Sequence, residues 1–164
     1  MAHPQRPRPA KRTTQITNHA ATMFHDPLKV RCRYALLCDH FSITFDGKPI
    51  ITGAFESIYV CRQPNGEIIV RHGVLTLRLE AAIACGSHHT FRIDLVDEHG
   101  KSFSNFPDQP IELRAGTEGL PMQMIFSMAL ESIKVPEFGY YCWNVVVDGE
   151  VVAECPMLVQ ELRA

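Results

Sequence analysis

The stretch Val135–Val159, VPEFGYYCWNVVVDGEVVAECPMLV, decides the fold. Pro136 ends whatever precedes it, because a fixed φ and a missing N–H stop a regular element. Gly139 frees the backbone to turn sharply. Tyr141, Trp143, Val145 and Val147 then recur at period two, the spacing of a strand that buries one face. Asp148-Gly149 tolerates positive φ and reverses the chain as a hairpin into EVVAEC. Pro156 confines the returning strand to an edge or a bulge.

Working outward, Asp46-Gly47 and Asn65-Gly66 mark two more hairpins, and DEHGK marks a fourth turn at Asp97–Lys101. YALLCDHFSITF runs into the first of these turns and PIITGAFESIYVC leaves it. Gly53, inside the second segment, marks a bulge or a break. Phe91, Ile93 and Leu95 alternate with Arg92 and Asp94. Met122, Met124, Phe126, Met128 and Leu130 share another period-two face, read as core filler in preference to a plastic binding surface. Residues 73–85, GVLTLRLEAAIAC, fit a strand through Leu75, Leu77 and Leu79. They also fit a helix through Leu75, Leu79 and Ala82 that Gly86 would cap. Strand-like neighbours favour the strand. The Gly-x-Tyr at Gly139–Tyr141 is similar to the tyrosine corner of immunoglobulin-like sandwiches, where a Tyr hydroxyl ties a crossing loop to backbone. The expected architecture is all-β: a two-sheet antiparallel Greek-key sandwich, immunoglobulin-like, of about eight strands.

At 164 residues the chain fits a single domain. Its net charge of −2 hides an asymmetry. Arg6, Arg8, Lys11 and Arg12 precede the first acid, Asp26, so the rest carries twelve basic against eighteen acidic residues. That acidic remainder argues against a nucleic-acid groove in the folded part. No apolar run approaches the roughly 20 residues of a membrane span. The N-terminus has no apolar core of a secretory signal, and the six Cys form no C-x-x-C pair. Reduced thiols in a cytoplasmic protein are therefore expected, acting as small buried hydrophobes.

Residues 1–22 are rich in Pro, Arg and Thr and hold no acid. Such a segment buries too little apolar surface to offset its ordering entropy. It is expected to be a disordered basic tail, or a mis-called start with Met23 as initiator. A phosphate-binding arm and a transit peptide are the less favoured readings. Residues 23–164 form the single expected sandwich domain.

YALLCDHFSITFDGKPIITGAFESIYV and FGYYCWNVVVDGEVVAECPMLV together resemble the two ends of a bacterial family of small uncharacterised β-sandwich domains. Its pattern is an LLCD strand, a GK…I.G.F strand and a closing G-Y-x-W…V-D-G hairpin. The resemblance covers Val30 to about Glu161 and implies a sandwich fold and a cytoplasmic setting. It implies no activity, cofactor or catalytic residue.

The densest chemistry lies in CGSHHTFRIDLVDEHG, with Cys85, His88, His89, Glu98 and His99. Thiolate, imidazole and carboxylate together suit a transition metal. A cupin-like jelly-roll enzyme would use His88, His89 and a third ligand such as His72. Adjacent His88 and His89 would point to opposite faces of a strand, which argues against that site. Cys38, Asp39 and His40 supply a nucleophile, an acid and a base in a row, yet three consecutive strand residues do not converge. Asp39 is expected to be tied to a loop by a structural hydrogen bond. No catalytic, cofactor-binding or metal-binding residue is assigned. The leading expectation is a non-enzymatic module that binds or scaffolds a protein or carbohydrate partner, with no nucleic acid or membrane role for the folded domain. The metal-dependent jelly roll is one alternative. The other is a carbohydrate-binding sandwich that stacks sugars on Tyr59, Tyr140 or Trp143.

Overall fold

Turns organise the chain. In the computed structural model, which describes residues 28–115 and 120–162, all four predicted turns form. Gly47 N–H donates to Thr44 O, Gly66 N–H to Gln63 O and Gly100 N–H to Asp97 O. Asp148 takes φ 51° and Gly149 φ 82°, the paired left-handed conformation of a two-residue hairpin. The predicted tail at 1–22 lies outside the described residues.

Eleven strands result among the described residues: β1 (Arg31–Ile43), β2 (Pro49–Phe55), β3 (Ser57–Val60), β4 (Ile68–Val70), β5 (Val74–Ala81), β6 (His88–Asp97), β7 (Ser102–Glu112), β8 (Met122–Ala129), β9 (Ile133–Val135), β10 (Gly139–Val147) and β11 (Glu150–Glu161). They form a four-stranded sheet in the order β2-β1-β5-β8 and a five-stranded sheet in the order β3-β11-β10-β6-β7. β4 and β9 make a separate two-stranded ribbon. The short β3, β4 and β9 carry the count past the expected eight. Every pairing is antiparallel except β3 against β11. β2 and β3 are separated only by Glu56, so one extended run leaves the first sheet and joins the second.

Residues 73–85 divide between their two readings. β5 runs to Ala81, and Ile83–Cys85 then form a 3-10 turn closed at Gly86, φ 86°. The strand wins where leucines alternate, and the turn takes over where the sequence becomes small and uniform.

The two sheets close on one apolar core. Leu75, Leu77 and Leu79 of β5 meet Phe91, Ile93 and Leu95 of β6 and Tyr141, Trp143, Val145 and Val147 of β10. Phe91 and Phe126 span the sheets with ring centroids 5.1 Å apart. Met122 and Leu130 are buried, and Met124, Phe126 and Met128 pack beside them, so the methionine face is core filler. Trp143 is 0% exposed. That corrects its nomination as a sugar-stacking residue: β10 points it inward between the sheets, where no ligand reaches it.

The approach to β10 behaves as its Gly-x-Tyr pattern predicts. Tyr141 Oη donates to Glu137 O at 2.8 Å, and its ring meets Phe103 edge-on at 6.0 Å. Pro156 pairs with Cys142, whereas β3 joins β11 only from Leu158 onward, so the proline has one strand neighbour. All six Cys are free thiols. Burial pushes the Cys155 thiol up to about 12 and the Cys32 thiol up to about 11.

Candidate functional site

β1 and β2 keep one register from Leu37↔Phe55 through Cys38↔Ala54 and His40↔Thr52 to Ile43↔Pro49. Gly53 is therefore no bulge, although it adopts φ 67°. A Cβ built on Gly53 would collide with Asp39 Oδ2, so glycine is what lets the carboxylate lie across β2. This overturns the expected loop tether. The Asp39 carboxylate is exposed and accepts no hydrogen bond from any described residue.

Beside it, where the chain passes from β2 to β3, lies a crevice of about 290 Å³. Phe55 and Ile58 supply apolar wall, Ser57 a hydroxyl, Tyr59 an aromatic ring, His72 an imidazole and Asp39 the charge. Tyr59 is 58% exposed. A mixed wall of this kind, with one uncompensated carboxylate, can hold a cation or a hydroxyl-rich group. The volume sits at the small end of ligand sites, enough for a side chain or one sugar ring. Asp39, Tyr59 and His72 each stand out in the sequence for a different reason; the β1–β5 pairing at Cys38↔Val74 sets His72 near Asp39, and the sheet switch at Glu56 adds Tyr59. Sequence reading missed this convergence. Gly53 inside a strand was its one signal.

The histidine-rich stretch resolves differently. His88, the first residue of β6, is exposed and shares a 3.0 Å hydrogen bond with Ser87 Oγ. His89 points the other way and is 8% exposed. Its Nδ1 lies 2.7 Å from Asp148 Oδ2 and its Nε2 3.0 Å from Gly86 O. Cys85 Sγ is 3.9 Å from the same Nε2. Asp148 Oδ1 also accepts from Thr90 N–H at 2.8 Å and Thr90 Oγ1 at 3.2 Å. Burial pushes the Asp148 carboxyl up, but the Thr90 N–H and His89 contacts outweigh it and hold the group below its usual range. Asp148 is the partner that sequence reading overlooked, because its hairpin role already explained it. Glu98 and His99 sit exposed in the β6–β7 turn, and His72 belongs to the crevice. The three histidines of the cupin-like reading thus do not converge. Among the described residues no group of three or more His, Cys, Asp or Glu is placed to hold a metal ion.

A family model covers residues 33–160, nearly the whole described sandwich. The chain belongs to DUF6941, a family of unknown function. No curated protein matches it. A solved structure, the Pseudomonas fluorescens alkylpurine DNA glycosylase AlkC bound to DNA containing an abasic site analog, is similar at 12% identity and a TM-score of 0.39. The match covers 80% of this chain and 30% of that one. For this DUF6941 member, no helix among the described residues is long and apolar enough to cross a membrane.

Proposed function

We propose that this protein is a non-enzymatic binding module and that the Asp39 crevice takes a cationic side chain of a protein partner. The observation that carries this is the Asp39 carboxylate, unpaired among the described residues and given its place by a glycine. A strand that invests a left-handed backbone to accommodate a carboxylate without a partner has that group available for something else. Charge supports the reading. Beyond the first four basic residues the chain holds twelve basic against eighteen acidic residues, which favours a basic partner. Tyr59 and Phe55 would flank the methylene stem or stack on a guanidinium.

A second reading rests on the same Tyr59 beside the same carboxylate, which also suits a sugar ring. Tyr140, 63% exposed on β10, remains the other stacking candidate. The strand order supports an immunoglobulin-like description. β1-β5-β8 follows the A-B-E order, β11-β10-β6 follows G-F-C, and Tyr141 supplies the corner. Six free thiols fit a reducing, cytoplasmic setting.

The test is a two-dimensional amide NMR titration with N-acetyl-arginine amide and, separately, with N-acetylglucosamine. The cation should shift Asp39, Gly53 and Tyr59, and the shifts should vanish in Asp39→Asn. Shifts with the sugar alone would favour the second reading. Silence at the crevice with both probes contradicts either one.

A further inference from the structure

The Cys85, His89 and Asp148 cluster lies outside that crevice and is assembled from three elements: the 3-10 turn, the first residues of β6 and the β10–β11 hairpin. A thiol, an imidazole and a carboxylate stand in the order of a nucleophile, a base and the group that orients the base. We propose that Cys85 is a nucleophilic thiol served by His89 and positioned through Asp148, and that it attacks small soft carbon electrophiles.

Four observations carry this. Both ring nitrogens of His89 face acceptors, Asp148 Oδ2 and Gly86 O, so once Nε2 takes the thiol proton the ring donates to both. Such a ring, 3.9 Å from Cys85 Sγ, stabilises the thiolate. Asp148 is itself fixed as an anion by Thr90, which keeps the ring oriented. A cavity of about 200 Å³ lined by Leu28, Val147 and Asp148 adjoins the cluster, and Cys85 is only half-buried.

In the resting thiol, Sγ–H donates to Leu28 O at 3.2 Å. In the reactive state that proton sits on Nε2, shared with Gly86 O. The sulfur then forms a bond to the electrophilic carbon as the carbon–halogen bond breaks. The halide leaves with the bonding pair, and no oxidant is needed. Among the described residues, the charged groups facing the site are Asp148 from the hairpin and, along the cavity, the Lys29–Glu150 ion pair at 2.7 Å. Cys155 and Cys32, whose thiols burial pushes up, should stay inert. Cys61 is exposed, with no such histidine, and serves as an internal reference.

The experiment is timed alkylation of the full chain with iodoacetamide between pH 6 and 8, read by peptide mass mapping. Cys85 should label at least about tenfold faster than Cys61 at pH 6 and change little with pH, whereas Cys61 should speed up about tenfold per pH unit. His89→Gln should bring Cys85 down to the Cys61 rate and restore the steep profile, and Asp148→Asn should lie between. Faster labelling of Cys61 at pH 6, or a Cys85 profile unmoved by His89→Gln, overturns the proposal. Should His89→Gln fail to fold, the comparison of Cys85 with Cys61 in the unaltered protein decides alone.

Discussion

Asp148 and Asp39 both lie in β-hairpins, one in the β10–β11 turn and one near the middle of β1, and they are treated in opposite ways. Asp148 accepts from Thr90 N–H, Thr90 Oγ1 and His89 Nδ1, and so joins the hairpin to the start of β6. Asp39 lies over Gly53 and accepts nothing from the described residues. Each requires an unusual backbone, φ 51° at Asp148 itself and φ 67° at Gly53 beneath Asp39. In the first case the conformation is returned as hydrogen bonds that hold the fold. In the second no described residue receives the carboxylate, which is why the crevice is proposed as a place for a ligand. Satisfied polar groups belong to stability, and an exposed unsatisfied one on a prepared backbone points to recognition.

The core sets the scale against which this contrast is measured. Trp143→Ala removes a fully buried indole and should cost about 3–5 kcal/mol in chemical denaturation. A nearly neutral result would mean that the ring is not in the core. Trp143→Phe should cost less, because Trp143 Nε1 is a buried donor without a partner among the described residues.

Gly53→Ala comes next, at about 1–2 kcal/mol, since it combines positive φ with a collision against Asp39. In an Asp39→Ala background part of that cost should be recovered, with a coupling of at least about 0.5 kcal/mol in a double-mutant cycle. Strict additivity would show that the carboxylate does not lie over the glycine.

Asp148→Asn should cost about 1 kcal/mol near neutral pH, at the low end for charged hydrogen bonds because the side chain is half-exposed. Folding holds the Asp148 carboxyl below the value it has in the unfolded chain. Its contribution is therefore complete above that value and is lost as pH falls through the folded one. Thermal unfolding of wild type and variant should differ above about pH 5 and converge in stronger acid. A gap that widens on acidification would reverse the sign.

Much of the fold was legible because turn chemistry and period two are local signals. Four turns, the buried face of β10 and the alternating leucines of β5 all follow from neighbours within a few residues. The β2–β3 sheet switch was not legible, because nothing around Glu56 distinguishes a kink from a continuing strand. The crevice was hidden for the same reason. Asp39 and His72 meet through the pairing of β1 with β5, and Tyr59 joins them only through that switch. Divergence of His88 and His89 could be read from strand geometry alone, whereas the pairing of His89 with Asp148, 59 residues away, could not.

The most direct test of the contrast is the denaturant midpoint of Asp39→Asn beside that of Asp148→Asn at pH 7. Asp39→Asn should unfold within about 0.5 kcal/mol of the wild type, because the exposed carboxylate has no hydrogen-bond partner among the described residues. Asp148→Asn should unfold measurably earlier. Equal losses in the two variants would show that the Asp39 carboxylate serves the fold, and would contradict its assignment to a ligand.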